Sequence, residues 1–135
     1  MSASPKDVLT YAKTIAVVGA SKDPTKPGAT IPMALQRHGF RIVPVNPTVD
    51  MLFGQRAYKT LADIPEHVDV VNVFRPADEA PAITQQAVAI GARAVWLQTG
   101  ITSAEARRVA EAAGLDFVED HCIAVERAKY SIEQR

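Results

Sequence analysis

Five short apolar runs alternate with stretches of helical pattern along this chain, and several of the runs are β-branched almost throughout. The runs are Thr14–Val18, Arg41–Val45, Val68–Phe74, Ala92–Leu97 and Asp116–Val118. Near-continuous apolar runs suit a parallel sheet that is covered on both faces. Strands and helices that alternate at this spacing imply right-handed crossovers. The pattern therefore predicts a Rossmann-like, doubly wound α/β fold with a mostly parallel sheet of five or six strands in three αβα layers.

The helical stretches carry recognisable start and stop residues. Ser4 suits the N-cap of a first helix, and Pro32 is compatible with a helix only in its first turn, which predicts that the second helix starts near Thr30. The remaining expected elements are a helix over Ala29–Arg37, one over Glu79–Ile90, one capped by a Thr102–Glu105 box and ending at Gly114, one over Ala124–Tyr130, a short edge strand at Ala57–Tyr58 and a helical turn at Thr60–Ile64.

The length of 135 residues suits one domain, spanning residues 1–135. Lys plus Arg and Asp plus Glu number 15 each, so the balanced charge argues against a nucleic-acid groove or a basic membrane anchor. The single cysteine, Cys122, cannot form an internal disulfide, and the chain begins with no secretory pattern. No apolar run approaches the ~20 residues of a membrane span. We therefore expect a cytoplasmic protein with neither nucleic acid nor membrane as a partner.

The loop after the first run is the clearest candidate site. The run ends at Gly19 and is followed by Ala20, Ser21 and Lys22, and then by Lys26, Pro27 and Gly28. A strand, a glycine turn and a helix N-terminus together form a cradle for phosphate. Of the dinucleotide fingerprint G-x-G-x-x-G only the first glycine is present. The loop therefore predicts binding of a nucleotide phosphate, but not of NAD. The alternatives are that the loop is an ordinary tight turn and that its lysines are merely solvated.

The second run ends in Val45, Asn46 and Pro47, at the sheet edge where ligands bind in open α/β folds. NAD sites place an acidic residue here for the ribose hydroxyls. Asn46 is neutral, and Pro47 imposes an extended turn. This position is a second argument against NAD, although a plain turn explains Asn46 equally well.

The third and fourth runs end in candidate ligand contacts. Val73, Phe74 and Arg75 close the third run, where Phe74 could lie against a flat base or an alkyl arm and Arg75 could bind phosphate. The alternative is that Phe74 belongs to the core and Arg75 pairs with a carboxylate such as Asp78. Gln98 is polar where the fourth run stops, and we expect it to face the ligand.

The triplet Asp120-His121-Cys122 invites a catalytic interpretation, which we disfavour. Consecutive side chains point in different directions, whereas a working Cys–His pair must meet in space. A cysteine in this setting is more often a small buried apolar residue. Three scattered histidines and one cysteine also offer no metal-ligand spacing. The sequence predicts no catalytic residue and no metal site.

The order of these blocks resembles a known family, the stand-alone CoA-binding proteins of bacteria and archaea, which are similar to the N-terminal CoA-binding domain of the succinyl-CoA synthetase α-subunit. The resemblance runs from about Asp7 to Arg127 through the blocks TIAVVGAS, RIVPVNP, VDVVNVFR, GARAVWLQTGI and DHCI. Members often carry arginine where His121 stands. The synthetase's phosphorylated histidine belongs to a second domain, so the resemblance gives His121 no such role.

The resemblance implies site residues by position. They are Gly19, Ala20 and Ser21 around the CoA phosphates, Lys26, Pro27 and Gly28 in the basic part of that loop, Val45, Asn46 and Pro47 near the adenosine end, and Val73, Phe74 and Arg75 along the nucleotide–pantetheine groove, with Ile83 on the following helix. A neutral second strand end agrees with CoA, because a carboxylate there would repel the 3′-phosphate.

These observations predict non-catalytic binding of coenzyme A or an acyl-CoA. Two alternatives stay open: an NAD(P)-binding domain of oxidoreductase type, and a protein-interaction module that senses CoA. A homodimer and an unidentified protein partner are both compatible with the sequence.

Overall fold

A computed structural model describes residues 3–134 and shows one central parallel sheet of five strands. Along the sheet the strand order is β2-β1-β5-β6-β7. The strands are β1 Thr14–Val18, β2 Arg41–Val45, β3 Met51–Leu52, β4 Gln55–Arg56, β5 Val70–Val73, β6 Ala94–Leu97 and β7 Asp116–Val118. The helices are α1 Pro5–Tyr11, α2 Pro27–Arg37, α3 Ala80–Ala89, α4 Ala104–Ala112 and α5 Ile123–Lys129, with 3₁₀ turns at Leu61–Asp63 and Ala77–Glu79. The predicted Rossmann-like α/β fold is confirmed.

Alternate side chains of the central strands enter two separate cores. Ala16 and Val71 pack with α3 and α4 on one face of the sheet, whereas Ile15 and Val17 pack with α1, α2 and α5 on the other. Every residue of β5 and β6 is buried, as a strand covered on both faces requires. The two cores and the sheet between them form the three layers expected from the sequence.

The direction of chain winding reverses between β1 and β5. From β1 the chain moves outward to β2 and then crosses back to β5 on the opposite side of β1. Both pairings are parallel, with Val18 opposite Val45 in one and opposite Val73 in the other. The carboxyl ends of β1 and β5 therefore border the crevice in which open α/β sheets bind ligands.

The strand bounds follow the apolar runs closely. β1, β2 and β7 match the predicted ranges, whereas β5 and β6 each begin two residues later than the runs that predicted them. Ser4 caps α1 through a reciprocal pair of hydrogen bonds with Asp7, as expected. The cap of α4 was wrongly predicted: Ser103, not Thr102, accepts the N–H of Ala106, at 3.0 Å.

The start of α2 was also wrongly predicted. The helix begins at Pro27 rather than near Thr30, and Pro32 lies inside it. A proline at position 32 withholds the N–H that would bond the carbonyl of Gly28, four residues earlier. That carbonyl accepts the N–H of Ser21 instead, at 3.1 Å. The helix tolerates Pro32 because a loop residue replaces the missing donor.

The segment between β2 and β5 contains a small hairpin that the sequence analysis missed. β3 and β4 pair antiparallel through Phe53 and Gly54, both of which have positive φ. The predicted edge strand is reduced to a single parallel bridge between Tyr58 and Val45. No helix within residues 3–134 has the length and apolar character to cross a bilayer.

Candidate ligand-binding site

A cavity of about 980 Å³ opens at the carboxyl ends of the parallel strands. The loops that follow β1, β2, β5 and β6 border this cavity. Fourteen of the fifteen residues predicted from the sequence line it: Gly19, Ala20, Ser21, Lys22, Lys26, Pro27, Gly28, Val45, Asn46, Pro47, Phe74, Arg75, Ile83 and Gln98. Val73 does not, because its side chain is fully buried with α3 in the core beneath the cavity.

Two glycines let the β1 loop fold tightly against its neighbours. Gly19 has a φ of +91°, and a Cβ on it would lie 3.1 Å from side-chain atoms of both Phe74 and Arg75. A Cβ on Gly28 would lie 2.7 Å from the carbonyl oxygen of Gly19. Gly28 therefore provides close packing of helix against strand, the role that the third glycine has in a dinucleotide fingerprint.

The β1 loop presents cations and a free backbone donor to the cavity. Lys22 and Lys26 are exposed, and neither has an acidic partner within 4.0 Å among residues 3–134. Gly28, in the first turn of α2, has no acceptor for its N–H in the same part of the chain. The hydroxyl of Ser21 accepts the N–H of Asp23 at 3.0 Å, which leaves its own proton available to donate. These groups are suited to an anion.

Arg75 pairs with a carboxylate, as the sequence alternative held, but the partner is Glu79 and not Asp78, the residue named as an example. Its Nε and Nη2 donate to the two carboxylate oxygens of Glu79, at 3.1 and 2.8 Å, and Asp78 takes no part. The pairing holds the pKa of Glu79 below its usual value and raises that of Arg75. Since Glu79 also lines the cavity, Arg75 neutralises the acidic side chain of this wall. Among residues 3–134, Nη1 and the second N–H of Nη2 have no acceptor, so they stay available to a ligand.

Asn46 connects two of the loops that border the cavity. Its Nδ2 donates to the carbonyl of Ala20 at 2.9 Å, and its Oδ1 accepts the N–H and the hydroxyl of Thr48 at 2.7 and 2.8 Å. The side chain is therefore engaged on both sides by protein partners. Its neutral amide fixes the end of β2 against the β1 loop.

The remaining wall is largely apolar. Phe74 is half-buried: it borders the cavity and packs on the core of α1, α2 and α5, as the core alternative expected in part, while its contact with a ligand stays a prediction. Ile83, in α3, also lines the cavity. Six lining residues were absent from the predicted set: Val18, Ile31, Glu79, Thr99, Ile101 and Cys122. The i,i+4 spacing of Arg75 and Glu79 is a sequence signal that would have identified Glu79.

Gln98 is almost completely buried at the end of β6, with 5 % of its surface exposed. Its Oε1 accepts two hydrogen bonds, one from Nδ2 of Asn72 at 3.1 Å and one from the backbone N–H of Ile123 at 3.0 Å. Asn72, in β5, is fully buried, and its Nδ2 also contacts the carbonyl of Trp96 at 3.2 Å. A buried polar cluster thus lies under the part of the cavity most distant from β2.

The triplet after β7 does not assemble as a catalytic group. Asp120, with a φ of +57°, accepts the N–H of Gly100 at 2.7 Å, and Nδ1 of His121 contacts the carbonyl of Glu119 at 2.7 Å. Cys122 alone of the three lines the cavity. It is half-buried, not enclosed in the core as its residue type suggested. Within residues 3–134 no three His, Cys, Asp or Glu side chains are grouped to hold a metal ion.

The fold recurs in solved structures of similar size. A Thermus thermophilus protein shares 38% identity at a TM-score of 0.88, covering 93% of this chain and 95% of its own. A Pyrococcus horikoshii protein shares 32% identity at a TM-score of 0.91, covering 96% and 94%. Among curated proteins, the uncharacterized protein YneT of Bacillus subtilis is 35% identical over 123 residues, 91% of each chain.

Larger CoA ligases contain a similar unit. The ADP-forming acetate–CoA ligase II of Archaeoglobus fulgidus is 33% identical over 105 residues, which are 76% of this chain but 16% of the ligase. The chain therefore spans a small part of that enzyme. A family model described as a CoA binding domain matches residues 13–128 and includes every loop that borders the cavity. This chain belongs to the family of CoA-binding domains.

Proposed function

We propose that the cavity at the carboxyl ends of the strands binds coenzyme A or an acyl-CoA, without catalysing a reaction. The observation that carries the proposal is the pairing of a cationic, donor-rich β1 loop with a long, mainly apolar wall in one cavity of this family's fold. CoA has the same two parts: a nucleotide with a pyrophosphate and a 3′-phosphate, and a pantetheine arm that is mostly uncharged.

The phosphate groups are assigned to the β1 loop and the start of α2. Lys22 and Lys26 provide mobile point charges, and the N–H of Gly28 provides a fixed donor at the positive end of an 11-residue helix. Arg75 lies across the loop, with its Cδ against Gly19. Three cations and one carboxylate, Glu79, line this cavity, so the local charge favours an anionic ligand although the whole chain is neutral.

With the phosphates at β1, the pantetheine arm is proposed to run across the sheet from β1 towards β6. Adjacent strands lie ~4.8 Å apart, so the step from β1 across β5 to β6 covers roughly 10 Å. A pantetheine arm that leaves the phosphates at β1 passes Phe74, which follows β5, and Ile83 of α3, and it reaches Gln98 and Cys122. The adenosine moiety lies on the other side of the loop, towards Val45 and Pro47 at the end of β2.

The alternative of an NAD(P) site finds less support. The end of β2 has no acidic side chain for the ribose hydroxyls, and Asn46 is engaged with Ala20 and Thr48. No histidine lines the cavity within the described range, so Cys122 has no imidazole across it as a base. These features favour binding of CoA over dinucleotide chemistry and over nucleophilic catalysis.

Calorimetric titration tests the proposal. Protein that has been stripped of ligand by partial unfolding and refolding is titrated with CoA, dephospho-CoA, NAD and ATP. We expect CoA to bind most tightly and the loss of the 3′-phosphate to weaken binding by about tenfold, as one charge-assisted contact predicts. Binding of NAD at equal or higher affinity than CoA would contradict the proposal.

A matched pair of lysine variants locates the site. Lys26→Ala is expected to reduce CoA affinity by roughly tenfold, because it removes a cation from the phosphate loop. Lys59→Ala removes an equally exposed lysine from the segment after the hairpin, outside the cavity, and should leave the affinity unchanged. Equal effects of the two changes would show attraction by overall charge and not a built phosphate site.

A further inference from the structure

The buried amide of Gln98 is fixed in one orientation by the groups around it. The carbonyl of Trp96 can only accept a hydrogen bond, so the atom of Asn72 that faces it is Nδ2. The same Nδ2 faces Gln98, and the N–H of Ile123 faces the same Gln98 atom. Both neighbours are donors, and the Gln98 atom between them must therefore be the acceptor, Oε1.

The opposite end of the Gln98 amide is consequently a donor without a partner. Its Nε2 has no acceptor among residues 3–134. The only side-chain polar atom of that range which is completely enclosed and unpartnered is Oδ1 of Asn72. Nε2 of Gln98 is thus not sealed in the core, and the surface that Gln98 leaves open borders the cavity.

Asn72 lies within β5, at a position where an apolar side chain would be more stabilising. It is fully buried, its Oδ1 has no partner, and a buried unsatisfied acceptor is destabilising. Val70, two residues earlier on the same face of β5, is a fully buried apolar residue of the core that packs with α1, α2 and α5. What Asn72 provides is the Nδ2 donor that fixes the Gln98 amide, so its presence points to a function of that amide.

We infer that Asn72 and Gln98 form a pre-oriented relay whose exposed Nε2 donates a hydrogen bond to a carbonyl oxygen on the arm of the bound CoA. This inference rests on the proposed function and extends it to the β6 end of the cavity. Because Nε2 is a donor, it favours a ligand with a carbonyl oxygen at this place and disfavours a ligand that presents an N–H or O–H group there. Two kinds of carbonyl meet the requirement: the amides of the pantetheine arm, which CoA and acyl-CoA share, and the thioester, which acyl-CoA alone carries.

Gln98→Glu is the sharpest variant, because a glutamate keeps the acceptor for Asn72 and Ile123 and replaces only the donor. At pH 7.5 the variant would direct an anionic oxygen at the ligand's carbonyl, and we expect the affinity to fall at least tenfold. Asn72→Leu removes the orienting donor and the unpartnered oxygen together. Its thermal stability should stay close to that of the wild type, while its CoA affinity falls by about threefold.

Each variant is titrated with CoA, with acetyl-CoA and with adenosine 3′,5′-bisphosphate, which has the nucleotide head but no arm. An equal loss for CoA and acetyl-CoA identifies a pantetheine amide as the acceptor, and a loss confined to acetyl-CoA identifies the thioester. Unchanged affinity for both in Gln98→Glu overturns the inference, as does a loss that extends equally to the bisphosphate. A wild-type protein that binds neither CoA nor the bisphosphate overturns the proposed function and, with it, this inference.

Discussion

The carbonyl oxygen of Gly19 occupies the space that a side chain on Gly28 would need. A Cβ built on residue 28 lies 2.7 Å from that oxygen, and the obstructing atom belongs to backbone, not to a flexible side chain. The end of β1 and the first turn of α2 are therefore held at a separation that only glycine permits. Both residues also line the cavity that includes the proposed phosphate site.

Gly28→Ala is expected to destabilise the protein by about 1–3 kcal/mol, as overpacking does. In an open helical position the same change stabilises by ~0.5–1 kcal/mol, since alanine is the better helix former. The sign of the change in unfolding free energy, measured by urea titration, thus distinguishes the two cases. Thr30→Ala, at an exposed position of the same helix, is the control and should be neutral or slightly stabilising.

Arg75 and Glu79 should have opposite effects on ligand binding. Arg75→Ala removes a cation and leaves the carboxylate of Glu79 unneutralised on the cavity wall, so CoA affinity should fall by more than about tenfold. Glu79→Ala should raise CoA affinity two- to fivefold. In the wild type the guanidinium must break an exposed ion pair, worth ~0.2–1 kcal/mol, before it binds phosphate, and the variant has no such pair to break.

The double variant completes the comparison of Arg75 and Glu79. Arg75→Ala with Glu79→Ala should bind CoA more tightly than Arg75→Ala alone, since the unpaired carboxylate is gone. Titration calorimetry at two salt concentrations measures all four proteins. A loss of affinity in Glu79→Ala as large as in Arg75→Ala would show instead that the carboxylate positions the guanidinium for the ligand.

Cys122 offers a direct readout of where the arm of CoA ends. It is the single cysteine of the chain and borders the cavity, so iodoacetamide modifies one site only. Saturating acetyl-CoA, which has no free thiol to consume the iodoacetamide, should slow the alkylation by more than about tenfold, following the occupied fraction of the site. Adenosine 3′,5′-bisphosphate should not protect, because a ligand without an arm does not extend to the end of β6. Equal protection by both ligands would reverse the proposed direction of binding.

Tyr11 links the stability of the fold to alkaline pH. Burial, together with its hydrogen bond to Asp116 at 2.8 Å, raises the pKa of Tyr11 well above its ordinary value. The unfolded chain therefore loses this proton first, near pH 10, and stability falls as the pH rises beyond that point. Below pH 10 the contribution is fully present.

Tyr11→Phe should lower the unfolding free energy at pH 7 by about 1 kcal/mol, the value of one hydrogen bond. Above pH 10 it should also remove up to about 1.4 kcal/mol per pH unit from the slope of stability against pH. Urea unfolding between pH 7 and 11 measures both quantities. The other tyrosines and the lysines are common to both proteins, so an unchanged slope would mean that Tyr11 titrates normally in the folded state.

The fold was predictable because its strands are marked by composition alone. The β-branched runs of β1 and β2 end where the structure ends them, and their shortness and β-branched content are typical of parallel strands buried on both faces. The hairpin of β3 and β4 was not predictable in the same way. Its turn, Phe53-Gly54, places an aromatic residue at a φ of +55°, a position usually marked by asparagine or aspartate.

The site was predictable to the extent that it follows from topology. Loops at the carboxyl ends of parallel strands meet, so Ser21, Phe74 and Gln98 could be brought together from their places in the sequence. Other side-chain partners could not be predicted. The engagement of Asn46 with Ala20 depends on loop geometry that no strand pattern specifies.

Pro32 couples the order of the β1 loop to the integrity of a helix. Since the carbonyl of Gly28 has no helical donor, it holds the N–H of Ser21, and that bond lasts only while the first turns of α2 are formed. Amide hydrogen exchange at Ser21 should therefore be as slow as in α2, and it should be faster at the exposed tip, where the N–H of Thr25 donates to the side chain of Asp23 at 3.0 Å. The ligand would then meet a loop whose base is already ordered, and the entropy lost on binding is confined to its tip.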